Sequence, residues 1–327
     1  MKILELENLS VKFKSKRTLE NLFVKTELDA VIDNSFIINN NSTYGIVGES
    51  GSGKTTIAKT ILGLLTTSHG KLSFDNKEID LTKKYRDKDF RKNVSMIFQD
   101  SIGSLSPRVK IKDLISEPFK IHKINRARIK EEVLKLLESV GLSDEFLDRY
   151  PHELSGGQAK RVSIARAIAL KPKLLIADEP TAGLDVSIQG EILNLLKSIQ
   201  NNQGMSILII SHNLSVIRHL TDEVLVMYFG KIMERGKTEY VFNSPIHPYT
   251  KALVSLIKRY DLNNKNQKIE LKGEVPSISE RKSGCVFSSR CENPSHDCKE
   301  GLIENKLIEY SKDHWVDQCC INCNKKI

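Results

Sequence analysis

The chain has 327 residues, 39% of them hydrophobic, which is enough for a sizeable core and for two domains. No apolar run approaches the roughly 20 residues that a bilayer-spanning helix needs, and acidic residues near the start are unlike a secretory signal, so we expect a soluble, cytosolic protein. The net charge of +9 comes from closely intermixed basic and acidic residues, which favours a solvated surface and predicts no nucleic-acid partner.

The first pattern along the chain is that of a strand. Leu9, Val11 and Phe13 alternate with polar residues before a charged segment. Alternation of this kind predicts a half-buried β-strand, so the chain is expected to open on β-structure.

A glycine-rich loop follows the short apolar strand 44–47, and apolar residues at helical spacing, from Ile57 to Leu65, predict a helix after it. The loop reads Gly48-Glu49-Ser50-Gly51-Ser52-Gly53-Lys54-Thr55. Its glycines let backbone N–H groups approach a phosphate, and the N-terminus of the next helix attracts the same anion. In this pattern Lys54 reaches the β- and γ-phosphates and the Thr55 hydroxyl ligates Mg²⁺. The sequence therefore predicts a nucleoside triphosphate site, to which we also assign Thr56.

The middle of the chain is dominated by helical patterning from about 100 to 165. It begins after the apolar strand 94–98, which ends at Gln99, an uncharged side chain that could ligate magnesium or water. Within it, Leu154-Ser155-Gly156-Gly157-Gln158 precedes a basic helix. A turn of this kind is either an ordinary helix N-cap or a second anion-binding device.

Two acids come at the end of an apolar strand, where ligands collect in open α/β sheets. Asp178 and Glu179 follow the strand 173–177. On the phosphoryl-transfer template, Asp178 holds the magnesium and Glu179 orients or deprotonates the attacking water.

An amphipathic helix then ends near Gly204, and the buried strand 206–211 leads to His212, which could contact the γ-phosphate. Strands alternating with helices predict an α/β fold with a mainly parallel sheet.

All six cysteines lie in the tail, beyond a polar segment at 261–267 that is typical of a linker. Four thiolates are what a structural zinc ion or an iron–sulfur cluster requires. Three alternatives stay open: a zinc or iron–sulfur site, reduced cysteines that pack a small lobe, and a disulfide, which the cytosol disfavours.

In this order the motifs resemble those of the ATP-binding subunits of ATP-binding-cassette (ABC) transporters. Gly48–Thr55 resembles the Walker A motif, Gln99 the Q-loop, Leu154–Gln158 the LSGGQ signature, Leu174–Glu179 Walker B, Ala182–Asp185 the D-loop and His212 the switch histidine. Phe13 stands where the family has an aromatic residue that stacks on adenine. The resemblance implies ATP and Mg²⁺ as cofactors, with Thr55, Gln99 and Asp178 at the metal and Asp185 near the nucleotide.

Further segments resemble the oligopeptide/dipeptide/nickel importer group of that family. They include Ser104–Arg108, Arg149–Glu153, Leu184–Gln189, His247–Leu253 and Gly273–Ser277. The resemblance implies an ABC-cassette core at 1–245 with a P-loop NTPase fold, an antiparallel β subdomain, a helical subdomain at about 100–165, and a cysteine-containing extension at 246–327. Cys285, Cys291, Cys298 and Cys319 resemble the cysteines of this tail, which in some members is associated with an iron–sulfur cluster. The resemblance implies these four as candidate ligands of a [4Fe–4S] cluster or of zinc, with Cys320 and Cys323 as alternatives to the last.

The resemblance also implies partners. Ser155, Gly156, Gly157 and Gln158 would cap the γ-phosphate of ATP bound to a second ATPase subunit, identical or different. Two membrane permease subunits and an extracytoplasmic substrate-binding protein would complete a peptide importer, with this chain at the cytoplasmic face of the membrane. The alternative is a soluble cassette protein that acts on a ribosome or on DNA.

Overall fold

The structure is a computed structural model that describes residues 1–14, 27–258, 269, 271, 273, 276, 281 and 284–319. The predicted linker at 261–267 lies outside them. The chain divides into two compact units. The first unit contains 1–3, 38–43 and 85–210, and the second contains 4–37, 44–84 and 211–327.

The elements are numbered in chain order. The strands are β1 (Lys2–Lys14), β2 (Glu27–Asn39), β3 (Thr43–Val47), β4 (His69–Phe74), β5 (Lys77–Ile79), β6 (Val94–Ile97), β7 (Leu174–Asp178), β8 (Ser206–Ser211), β9 (Glu223–Tyr228), β10 (Lys231–Lys237), β11 (Leu307–Ser311) and β12 (His314–Asp317). The α-helices are α1 (Lys54–Ile61), α2 (Lys88–Asn93), α3 (Ile111–Ile121), α4 (Arg126–Ser139), α5 (Gly156–Ile168), α6 (Val186–Gln203), α7 (Leu214–Leu220), α8 (Thr238–Asn243), α9 (Pro248–Lys258) and α10 (His296–Lys299).

The first unit is built on three parallel strands in the order β8–β7–β6. The apolar residues of β7, from Leu174 to Ala177, are fully buried, as expected for a strand covered on both faces. Both predicted strands, at 173–177 and 206–211, are confirmed. The predicted helix after the acids is α6, which ends at Gly204 in the left-handed conformation that favours glycine.

Helices fill the segment between β6 and β7 in this unit. It contains α3, α4 and α5 together with two 3₁₀ turns, Asp144–Asp148 and Pro151–Glu153. The predicted helical stretch at about 100–165 is therefore confirmed.

The second unit contains two sheets. One has the order β11–β12–β10–β9–β3, in which β3 and β9 are parallel and the other neighbours are antiparallel. The other has the order β2–β1–β4–β5, in which β4 is antiparallel to β1 and to β5. This second sheet is the antiparallel β subdomain that the sequence predicted.

Two local expectations differ from the structure. Leu9 and Val11 are buried as predicted for β1, but Phe13 is 39% exposed near the strand end. The helix after the phosphate loop ends at Ile61 rather than continuing through Leu65, because Gly63 turns the chain with a φ of 75°.

No helix in the described part of the chain is long and apolar enough to cross a membrane. The fold is α/β, with helices interleaved between the strands of the first unit and two sheets in the second.

Candidate functional site

The phosphate loop connects β3 to α1 in the second unit. Gly48 has a φ of 152°, and a Cβ there would lie 2.1 Å from the carbonyl oxygen of Met227. Gly53 has a φ of 99°, and its Cβ would lie 2.8 Å from the carbonyl oxygen of Ala30. Both positions therefore require glycine for conformation and for space, which explains the glycine spacing of the motif.

Lys54, the first residue of α1, folds its side chain back over this loop. Its Nζ donates to the carbonyl oxygens of Gly48 at 2.7 Å and Glu49 at 2.8 Å, and to Ser52 Oγ at 3.3 Å. The ammonium group is largely buried. A positive charge is thereby held at the phosphate loop, where it can balance the charge of a bound phosphate.

The two acids lie at the carboxyl end of β7 in the first unit. Asp178 is the last residue of the strand and is 2% exposed, and Glu179 is 8% exposed. Glu179 has a φ of 48°, and its N–H donates to the carbonyl oxygen of Ile210 at 2.8 Å. A non-glycine residue at positive φ is strained backbone of the kind found at functional sites. The adjacent strand β8 thus fixes the backbone of Glu179 just beyond the end of β7.

Lys160, on α5, was not predicted from the sequence. Its Nζ is 3.5 Å from the carbonyl oxygen of Gln99, and its side chain is 2% exposed. Burial lowers the pKa of Lys160 to about 8, against the attraction of Asp100 and Asp178. The side chain of Gln99 itself is exposed. Lys160 is thus a buried cation that contacts the backbone of the predicted Q-loop at Gln99 and is attracted by the negative charge of Asp178.

The predicted signature forms the N-terminus of α5. Ser155 Oγ accepts from the N–H of Gln158 at 3.3 Å, and Gln158 Oε1 accepts from the N–H of Ser155 at 2.9 Å. This reciprocal pair is a capping box. Ser155 and Gly156 are exposed, so the capped helix end faces solvent in this chain.

The predicted site residues fall into two sets, one in each unit. In the first unit are Gln99, Ser155, Gly156, Gly157, Gln158, Asp178, Glu179 and Asp185. In the second unit are Phe13, the loop residues Gly48 to Thr56, and His212. His212 directly follows β8 and is exposed, and Asp185 is the exposed N-cap residue of α6.

The four candidate cysteines line one cavity of about 180 Å³ in the second unit. The Sγ atoms of Cys298 and Cys319 are 2.9 Å apart. A hydrogen bond from Cys319 lowers the pKa of Cys285, and the same contact raises the pKa of Cys319. Within the described residues, no three His, Cys, Asp or Glu side chains converge as they would around a single metal ion. Cys320 and Cys323 lie outside the described residues.

His247 lines the same cavity and is fully buried. Burial lowers its pKa to about 3, so the imidazole is neutral. Its Nδ1 accepts from the N–H of Tyr249 at 3.1 Å, which places the ring hydrogen on Nε2. That Nε2 is buried without a hydrogen-bond partner among the residues that the structure describes. The cavity wall therefore offers a donor as well as thiols.

Two tail residues contact the phosphate loop at Glu49. The Arg290 guanidinium pairs with the Glu49 carboxylate through Nη1–Oε2 at 2.7 Å and Nη2–Oε1 at 3.2 Å. The N–H of Glu49 donates to the hydroxyl of Tyr249 at 2.9 Å. These partners are 241 and 200 residues from Glu49, and no sequence pattern signalled either contact.

Comparison with known proteins identifies the family. Residues 31–182 match the family model described as ABC transporter, and residues 233–298 match that described as oligopeptide/dipeptide transporter, C-terminal region. The chain is 44% identical to the oligopeptide transport ATP-binding protein OppF of Haemophilus influenzae, over 90% of this chain and 91% of that protein. It is 43% identical to the oligopeptide transport ATP-binding protein AppF of Bacillus subtilis, over 89% of each chain.

Among solved structures, cbiO1 of Clostridium perfringens, part of an ABC transporter complex, aligns with a TM-score of 0.64 and 29% identity. That alignment covers 80% of this chain and 96% of cbiO1. The ATP-binding cassette MJ0796, in a post-hydrolysis state with ADP and phosphate, aligns with a TM-score of 0.62 and 26% identity, over 72% of this chain and 98% of that one.

The chain belongs to the ABC transporter family of ATP-binding subunits, in its oligopeptide/dipeptide group. It is accordingly an ATPase, which uses ATP and Mg²⁺. The family and the P-loop α/β fold that the motifs indicated are both confirmed.

Proposed function

We propose that this chain hydrolyses ATP to power the import of peptides, or of a related small solute, through a membrane ABC transporter. The observation that carries the proposal is the match of residues 233–298 to the oligopeptide/dipeptide transporter C-terminal region, which lies outside the nucleotide-binding motifs. The names of the relatives, which are oligopeptide transport proteins, support the same solute class.

The nucleotide occupies the phosphate loop in this proposal. The backbone N–H groups of the loop and Lys54 bind its phosphates, and Phe13, exposed on β1, stacks on the adenine. Thr55, Gln99 and Asp178 hold Mg²⁺, whose hard-cation preference for oxygen ligands fits their hydroxyl, amide and carboxylate groups. The metal supplies charge that offsets the charge developing on the phosphates.

Glu179 is the proposed general base. Its carboxylate orients the attacking water and takes its proton, and His212 contacts the γ-phosphate. The support from this chain is the position of Glu179, buried and strained at the end of β7 beside Asp178. A carboxylate held in this way needs little reorganisation when the water attacks.

The signature completes the site of a second ATPase subunit. Its capped helix end is exposed, so the N–H groups and the Ser155 hydroxyl can approach a γ-phosphate on another chain. Asp185, exposed at the start of α6, belongs to the same surface of the proposed dimer. ATP then favours the closed dimer because it binds both subunits at once, and hydrolysis releases that preference.

The membrane partners follow from the same proposal. Two permease subunits hold this chain at the cytoplasmic face of the membrane, and an extracytoplasmic binding protein delivers the solute. The cassette is taken as 1–245 and the tail as 246–327.

Copurification tests these partners. We expect affinity-tagged chain, extracted in mild detergent, to retain permease subunits. Cosedimentation with ribosomes, in the absence of permease subunits, would instead favour a soluble cassette protein that acts on a macromolecule.

We further propose that the four tail cysteines hold a [4Fe–4S] cluster. A cluster is several atoms across, so its thiolate ligands need not converge on one point. Thiolates on different irons are not in direct contact, so a bound cluster would have to separate Cys298 Sγ and Cys319 Sγ, which are 2.9 Å apart here. The all-thiol donor set and the buried, unpartnered His247 Nε2 at the same cavity support a bound group. Zinc is the other group that takes such thiolates.

Iron, sulfide and zinc analysis of anaerobically purified chain decides between these groups. We expect iron and sulfide in equal amounts, with both lost in Cys285→Ser. Zinc alone would point to a structural site, and the absence of all three would leave the cysteines as packing residues.

A further inference from the structure

The tail and the phosphate loop meet at one residue, Glu49. The loop N–H of this residue is bound by Tyr249, and its carboxylate is bound by Arg290 with both guanidinium nitrogens. Tyr249 is fully buried, and the Arg290 side chain is 7% exposed. Backbone and side chain of the same loop residue are therefore both held by residues about 200 or more positions away.

Arg290 cannot easily leave this position. It ends a turn in which its N–H donates to the carbonyl oxygen of Phe287 at 3.0 Å. Phe287 is 1% exposed, and its ring packs against the rings of Tyr228 and Tyr249 at 5.3 and 5.7 Å. The guanidinium also lies over the Tyr228 ring at 5.7 Å. The aromatic cluster thus fixes the arginine before any nucleotide binds.

The charge of Glu49 makes this contact relevant to ATP. An acidic side chain in a loop that receives a triphosphate repels it, and a partly buried charge is poorly screened by salt. The Glu49 side chain is 28% exposed. A bidentate arginine neutralises the carboxylate and fixes its orientation at the same time.

We propose that Arg290 is a positioning residue for ATP: acting through Glu49, it holds the phosphate loop and neutralises its acidic residue, which makes the tail a part of the nucleotide site of its own chain. The inference rests on the proposed nucleotide site. It gives the tail a role in binding ATP.

A double-mutant cycle with a fluorescent ATP analogue tests the proposal. Arg290→Gln leaves the Glu49 charge unpaired, so we expect its Kd to rise about tenfold, equivalent to about 1.4 kcal/mol. Its KM for ATP should rise similarly, while kcat stays near the wild-type value because Arg290 touches no reacting group.

Glu49→Gln removes the charge that Arg290 neutralises. We therefore expect the Kd of Glu49→Gln/Arg290→Gln for the analogue to lie within about threefold of the Kd of Glu49→Gln alone. Arg290→Lys, which keeps the charge but not the two parallel bonds, should fall in between.

Arg235→Gln is the matched control. Arg235 lies on β10, donates to the carbonyl oxygen of Ser35 and stacks on Trp315 of β12, without contacting Glu49. Losing it loosens tail packing, and ATP affinity should stay at the wild-type value. A Kd for Arg290→Gln equal to wild type would overturn the inference. So would a double variant that binds as weakly as Arg290→Gln, since the arginine would then act through folding alone. A wild-type chain that fails to bind the analogue would instead reject the nucleotide site itself.

Discussion

Replacing Lys160 with methionine tests the electrostatics of the first unit. The substitution keeps a long, flexible side chain and removes the ammonium. In the folded chain burial lowers the pKa of Lys160 from 10.5 to about 8. One pH unit in a pKa corresponds to about 1.4 kcal/mol, so the buried charge destabilises the fold by about 3 kcal/mol at neutral pH. The variant also loses the bond to the Gln99 carbonyl, worth about 1 kcal/mol.

The sign of the pH effect follows from proton binding. Between about pH 8 and pH 10.5 the unfolded chain keeps the Lys160 proton and the folded chain releases it, so wild-type stability rises with pH. We expect Lys160→Met to be more stable than wild type by about 2 kcal/mol near pH 7. Wild type gains about 2 kcal/mol of stability between pH 7 and pH 9.5, so the two proteins should be about equally stable at the higher pH.

Urea unfolding followed by circular dichroism at both pH values measures the difference. Lys197→Met, at an exposed position of α6, is the matched control, and its difference from wild type should be the same at both. A Lys160→Met difference that does not change with pH would refute the argument, because the lysine would then be solvated in the folded chain.

Two further predictions concern the glycine-rich turns. Gly48→Ala should abolish binding of a fluorescent ATP analogue, because its Cβ would lie 2.1 Å from a backbone oxygen. The Cβ of Gly51→Ala would meet nothing within 4 Å, so this variant should still bind the analogue, at a cost of about 1 kcal/mol of backbone strain. Equal affinities for the two variants would contradict the steric argument. Ser155→Ala should lose about 1 kcal/mol of stability with its cap, keep ATP binding at its own loop, and form less ATP-dependent dimer on size-exclusion chromatography. Unchanged dimer formation would argue against a role of the signature in the partner's site.

Local patterns were sufficient to predict the elements that carry the motifs. A continuous apolar run predicts the strand at 206–211, and amphipathic spacing followed by Gly204 predicts the helix before it. Both elements lie where they were expected. The helix after the phosphate loop was predicted too long, because apolar residues continue past Gly63, whose left-handed conformation ends the helix. The spacing of apolar residues carries no information about the left-handed backbone conformation of Gly63.

The contacts that tune the site could not be read from the sequence. The pairing of Arg290 with Glu49 joins residues 241 positions apart, and an isolated arginine in a tail has no local signature. Lys160 stands in a basic helix where a solvated charge is the ordinary expectation, and only its 2% exposure shows that the charge is buried. Both depend on tertiary packing, which single-sequence patterns do not encode.

ATP-driven peptide uptake into proteoliposomes tests the central claim most directly. The vesicles contain the permease subunits, the partner ATPase and either wild-type chain or Glu179→Gln, with the binding protein and a labelled peptide outside and ATP inside. We expect uptake with wild-type chain only, while Glu179→Gln assembles, binds ATP and remains in the closed dimer because it lacks the proposed base. Equal uptake with Glu179→Gln, or uptake without this chain, would contradict the account.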